Sequence, residues 1–194
     1  MLLGYTNVEE MALNDWIEGI VLLNYREKNN FFNLEHNYRF DLNKTIMELQ
    51  DYLTSYETPI HYCNPYEQWM MHASDMAFGL EIYDVIIHFL DKVYEAEDKR
   101  PFFVLHEHKK LMQMRINFLQ KKLDLDCDIL FQEYSAIVKK SNIVSMIYLK
   151  YTITKNENIK KNIIHELQII KDKEEGILNE LCNLLIKYND NADR

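Results

Sequence analysis

The sequence predicts an all-α fold, an elongated bundle of about six helices arranged as three antiparallel αα-hairpins. Three observations lead there. Only four Gly and three Pro occur in 194 residues, whereas hairpin-rich β folds spend many such residues on turns. The stretch from Asn64 to Asp98 carries Trp69, Ala73, Met76, Leu80, Tyr83, Ile87, Leu90 and Tyr94 at alternating steps of four and three, the signature of one helix face. Comparable apolar seams recur on both sides of it, separated by short polar breaks.

Taken in order, Thr6-x-x-Glu9 is a capping box followed by Val8, Ala12, Trp16, Ile20 and Leu23, which places a first helix near residues 7–27. A second helix starts either at Asp41, as its cap, or near Asn33, with Leu42, Thr45, Leu49, Tyr52 and Tyr56 on its seam. Asn64, Pro65 and Glu67 start the third, which a second apolar row (Phe78, Ile82, Val85, Phe89 and Val93) makes the expected centre of the core. Asp98-Lys99-Arg100-Pro101 breaks and restarts the chain. The fourth seam is Phe102, Leu105, Met112, Ile116, Leu119 and Leu123, interrupted by Lys109; the fifth runs from Leu130 to Tyr151 with Ser141 at one seam position. Thr154-x-x-Glu157 opens a sixth helix carrying Ile163, Leu167, Ile170, Ile177, Leu181, Leu184 and Tyr188, with Glu174 and Gly176 weakening its middle. Residues 1–190 read as one helical domain and 191–194 as a frayed tail.

Thirty-one acidic against twenty-two basic residues give a formal charge of −9, which opposes a nucleic-acid partner. Cys63, Cys127 and Cys182 are odd in number and form no Cys-x-x-Cys pair, so neither a zinc knuckle nor a redox motif is present. No basic leader and no apolar run of about 20 residues occurs, and the chain reads as cytoplasmic rather than membrane-bound.

The candidate binding group is Gln68, His72 and Asp75, which share a stripe with Gly79. If the chain folds back antiparallel at residues 98–101, His72 and Asp75 approach Asp124, Asp126 and Asp128, and this set could hold a divalent ion. A plainer account is a hydrogen-bonded His–Asp pair with acids capping the next helix. No other cofactor is predicted. The same register brings Asp91 near His108 and Asp84 near Arg115. Paired Glu-x-x-Asp motifs, Glu48 with Asp51 and Glu81 with Asp84, raise Mg²⁺-dependent nucleotide hydrolysis, although Glu48 and Asp51 are expected to face solvent. Arg100-x5-His106 is similar in spacing to the Arg and His of HEPN-type ribonucleases, all-α proteins that cleave RNA without metal, with Pro101 departing from that family's pattern. On that resemblance Arg100 and His106 would be catalytic.

Diiron chemistry is excluded because no Glu precedes any His by three residues, and no phosphate-binding loop or nucleophile elbow is present. The expected function is therefore non-catalytic: an acidic helical protein that binds and modulates, or inhibits, a partner protein with a basic site. The alternatives are a HEPN-like RNase, a Mg-dependent nucleotide hydrolase, and a metal or small-ligand sensor. A homo-oligomer is compatible with the same features.

Overall fold

A computed structural model of the chain describes residues 40–56, 77–92 and 98–192. All regular structure among them is helical: α1 (Leu42–Thr54), a 3-10 turn (Gly79–Glu81) leading into α2 (Ile82–Lys92), α3 (Arg100–Leu123), α4 (Asp128–Thr154) and α5 (Glu157–Ala192). These helices lie in the compact unit that begins at Asp41. The helix expected at residues 7–27 lies outside the described residues.

Local chemistry sets the boundaries. Asp41 is extended, and its carboxylate accepts from the Lys44 backbone N–H at 3.0 Å, a cap worth about 1 kcal/mol. Ahead of α3, the Asp98 carboxylate accepts from the Arg100 backbone N–H at 3.0 Å, and Pro101 sits where a missing N–H is harmless. Asp124 closes α3 with φ 53. The α4–α5 turn departs from expectation. Thr154 stays with α4 and donates its hydroxyl to the Lys150 carbonyl, while Asn156 caps α5 by accepting from the Asn158 N–H at 2.9 Å.

The stretch from Asn64 to Asp98 is not one helix. Phe78 is extended and Gly79 takes φ +53, so the chain turns sharply before α2 begins. The cause is a close backbone approach. A Cβ on Gly79 would stand 2.0 Å from the Tyr52 carbonyl oxygen, so only glycine fits where the 3-10 turn crosses the end of α1. The Glu81 N–H completes this junction by donating to the Ser55 hydroxyl at 3.0 Å.

The core is centred instead on α5, which runs unbroken for 36 residues through Glu174 and Gly176. Its Ile163, Leu167, Ile170, Leu178, Leu181 and Leu185 are fully buried, each worth roughly 1.5–3 kcal/mol on burial. Helices α1, α2 and α4 all pack against α5, whereas the expected pairing of α2 with α3 is at most slight. Asp84 accordingly pairs with Lys171 of α5 at 2.8 Å rather than with Arg115. Helices α3 and α4 run antiparallel: Gln120 meets Asp128, Gln113 meets Ser135, and the Phe102 ring stacks on Tyr148. No described helix is long and apolar enough to cross a membrane.

Candidate functional site

The seam of α5 contains one charged residue, Glu174, and the seam of α3 contains one, Lys109. The fold brings them together. Lys109 Nζ lies 2.7 Å from Glu174 Oε2, and neither side chain has any solvent exposure. Every described helix supplies a polar group to this knot. The carboxylate of Glu174 on α5 accepts from Tyr83 of α2 at 2.6 Å and from Tyr134 of α4. Lys109 of α3 donates to Tyr52 of α1 at 2.9 Å and to Nδ1 of its neighbour His108 at 3.3 Å. An ammonium has three protons, and Glu174, Tyr52 and His108 take all three. The same nitrogen sits over the Tyr83 ring, 4.9 Å from its centre.

Burial governs the ionisation of these groups. Desolvation first, then the nearby Glu174 charge, pushes the Tyr52, Tyr83 and Tyr134 phenols far above their usual range. Desolvation pulls Lys109 down, against the opposing pull of Glu174. His108, stacked on Tyr52, is lowered to about 4 by desolvation, helped by the Lys109 charge, and is neutral at pH 7. With Nδ1 accepting from Lys109, its proton belongs on Nε2. The knot is sealed. A groove of about 390 Å³ between α4 and α5 is lined by Glu133, Asp172, Lys173 and Glu180 among others, and none of the knot's side chains reaches it.

The residues singled out in the sequence fare differently. Gln68, His72 and Asp75 lie outside the described residues. Asp124, Asp126 and Asp128 are separate in role: Asp124 is the left-handed cap of α3, Asp126 accepts from the Asp128 N–H, and Asp128 accepts from Gln120. Among the described residues no group of three or more His, Cys, Asp and Glu could hold a metal ion. Arg100 and His106 are not brought together as a ribonuclease pair. Arg100 is exposed and turns back on Asp98 through a two-pronged ion pair, whereas His106 Nδ1 shares a hydrogen bond with the Ser141 hydroxyl on α4 at 3.0 Å. Asp51 is buried rather than solvent-facing, because the turn at Gly79–Glu81 packs over the end of α1. Glu48 remains exposed and pairs with Lys44 at 3.9 Å.

A second feature was not read from the sequence. On α3, Val104, Leu111 and Phe118 repeat at heptad spacing, and Phe103 and Met114 fall beside them. All five are 44–65% exposed. The stripe is about 22 Å long at helical rise and lies on the side of α3 opposite Phe102, Leu105, Lys109, Met112, Ile116 and Leu119, which are buried. Helix α3 is thus apolar on two opposite faces. A scan for a second seam, offset by half a turn from the first, would have found it.

Comparison with known proteins adds no relative: no family model, no curated protein and no solved structure matches the chain.

Proposed function

We propose that this chain is a non-catalytic protein-binding module that modulates a partner, with the outer face of α3 as its contact surface. The observation that carries this reading is the exposed stripe of Phe103, Val104, Leu111, Met114 and Phe118. Five large apolar side chains on one helix face, with Glu107 among them, are more than scattered surface residues usually present and suit a protein contact. The buried Lys109–Glu174 pair is in keeping with the same reading, since those two charged side chains have no solvent exposure and are committed to each other. The formal charge of −9 suits a partner with a basic site, which long-range attraction would steer to this surface. A cytoplasmic setting is inferred from Cys127 and Cys182, which are free thiols in the core.

The test is affinity capture from the source lysate with the wild-type chain and with Leu111→Glu/Phe118→Glu, both checked for native helicity. Partner recovery should fall at least about tenfold in the variant, as loss of a central hot spot implies. Equal recovery by both proteins would remove α3 from the account.

A further inference from the structure

We propose that the outer face of the C-terminal half of α4 docks an acidic amphipathic helix of a partner protein. This contact is separate from the outer face of α3 and opposite to it in charge preference. The sequence reverses its character here. A chain of formal charge −9 carries, between Glu133 and Glu157, four lysines (Lys139, Lys140, Lys150 and Lys155) and no acid. Lys139, Ile143, Met146, Lys150 and Ile153 follow one another at steps of four and three, which gathers them on one side of α4. That side points away from the bundle. Ile137, Ser141, Val144 and Tyr148 of the same helix are buried, whereas Ile143 is 54%, Met146 59% and Ile153 83% exposed.

Charge complementarity identifies the occupant. Lys140, at the edge of the stripe, is used within the fold, where it pairs with Glu166 of α5, and Glu107 of α3 is held by Lys110. Lys139 and Lys150 are exposed and form no ion pair among the described residues. They stand about 16 Å apart at helical rise, one on each side of Ile143 and Met146. A helix lying along α4 matches this pattern when two carboxylates three turns apart flank two apolar residues on one face. Its carboxylates then reach the two lysines while its apolar residues cover Ile143 and Met146. Ile153 extends the apolar contact by one turn. A membrane or a nucleic acid fits less well. Either presents negative charge to the whole molecule, and all 31 acidic residues lie outside this stretch. A short helix confined to the stripe stays within the ~8 Å over which the lysines act at physiological ionic strength.

Fluorescence anisotropy with the full chain at physiological ionic strength tests this. The probe is a labelled helical peptide with Glu, Leu, Leu and Glu at steps of four, three and four, and the control carries Lys in place of both Glu. The wild type should bind the Glu peptide at least about tenfold more tightly than the Lys peptide. Lys139→Glu/Lys150→Glu should reverse that order, and the reversal itself shows that the variant is folded. Ile143→Ser/Met146→Ser should weaken binding of the Glu peptide by about tenfold with helicity unchanged. Leu111→Glu, on the outer face of α3, should leave the affinity as it is, which separates this contact from the one proposed there. Equal affinity for the two peptides, binding of neither, or loss of binding on Leu111→Glu overturns the proposal. So does an order of preference that survives Lys139→Glu/Lys150→Glu in a chain of native helicity. Co-sedimentation with phosphatidylserine vesicles in place of peptide binding would assign the face to a membrane and overturn it as well.

Discussion

Lys109 and Leu111 stand two residues apart on α3, on opposite sides of the helix, and each occupies the environment usually given to the other. Lys109 is completely buried, and Leu111 is 53% exposed. On the inner face, an apolar seam closes around a charged pair that three tyrosines and a histidine satisfy. On the outer face, five large apolar side chains are about half exposed, with the charged Glu107 among them. The inner arrangement is expensive to assemble and strongly directional: taking an ammonium and a carboxylate out of water is tolerated only when every proton and lone pair finds a partner. It therefore selects one way of bringing the five helices together. The outer arrangement contributes little to the fold of one chain and is meaningful only if something covers it.

The largest effects should come from breaking the inner arrangement on one side only. Glu174→Ala leaves the Lys109 ammonium buried without its counter-ion, and stability should fall by about 3–5 kcal/mol. Lys109→Met leaves the carboxylate in the same position and should fall by a similar amount. The double variant Lys109→Met/Glu174→Leu should recover part of that loss: it removes the unpaired buried charge, but it leaves the buried Tyr83 and Tyr134 hydroxyls without their acceptor. Urea unfolding of the four proteins gives the coupling directly. Additive losses would mean the two residues do not act as a pair.

Effects of intermediate size concern the groups around the pair. Tyr83→Phe removes one donor to the Glu174 carboxylate and should lower stability by about 1.5–3 kcal/mol. The pH dependence has a definite sign at each end. His108 is lowered from 6.5 to about 4 in the folded chain, so between these values the unfolded chain binds more protons. Stability should therefore drop as pH falls through that window, by up to about 3 kcal/mol. His108→Phe keeps the ring stack on Tyr52, and its acid profile should be flatter over the same range. At the alkaline end the raised phenols of Tyr52, Tyr83 and Tyr134 hold protons that the unfolded chain releases near pH 10, so stability falls above that pH. The lowered amine of Lys109 acts in the opposite direction, and three phenols outweigh it.

Much of the inner face was visible in the sequence, but not its meaning. Lys109, Ser141 and Glu174 each stand out as polar residues on otherwise apolar seams, and all three are buried. Seam periodicity shows that such residues point inward. It does not show which helices face each other, so the opposite charges of Lys109 and Glu174 were legible while their pairing was not. Tyr83 lies on an apolar seam and Tyr134 falls at seam spacing after Leu130, which points both inward; that they share one carboxylate depends on tertiary register alone. The break at Gly79 was hidden for a related reason. The apolar spacing continues across it from Met76 to Leu80, and the steric demand for glycine comes from the Tyr52 carbonyl, 27 residues earlier in the chain. Asp41, one of two starts the sequence offers for that helix, is its cap, and it is legible because a cap is local chemistry.

The smallest effect on stability is the most informative about function. Leu111→Glu exchanges an exposed leucine for a charge and should change the stability of the dilute monomer by no more than about 0.5 kcal/mol. The most direct measurement is urea unfolding of Lys109→Met and Leu111→Glu side by side, at a concentration too low for self-association to contribute. The account predicts a large loss for Lys109→Met and almost none for Leu111→Glu. A large loss for Leu111→Glu would mean that its side chain already packs within the folded chain, and a small loss for Lys109→Met would mean that the buried pair does not hold the helices together.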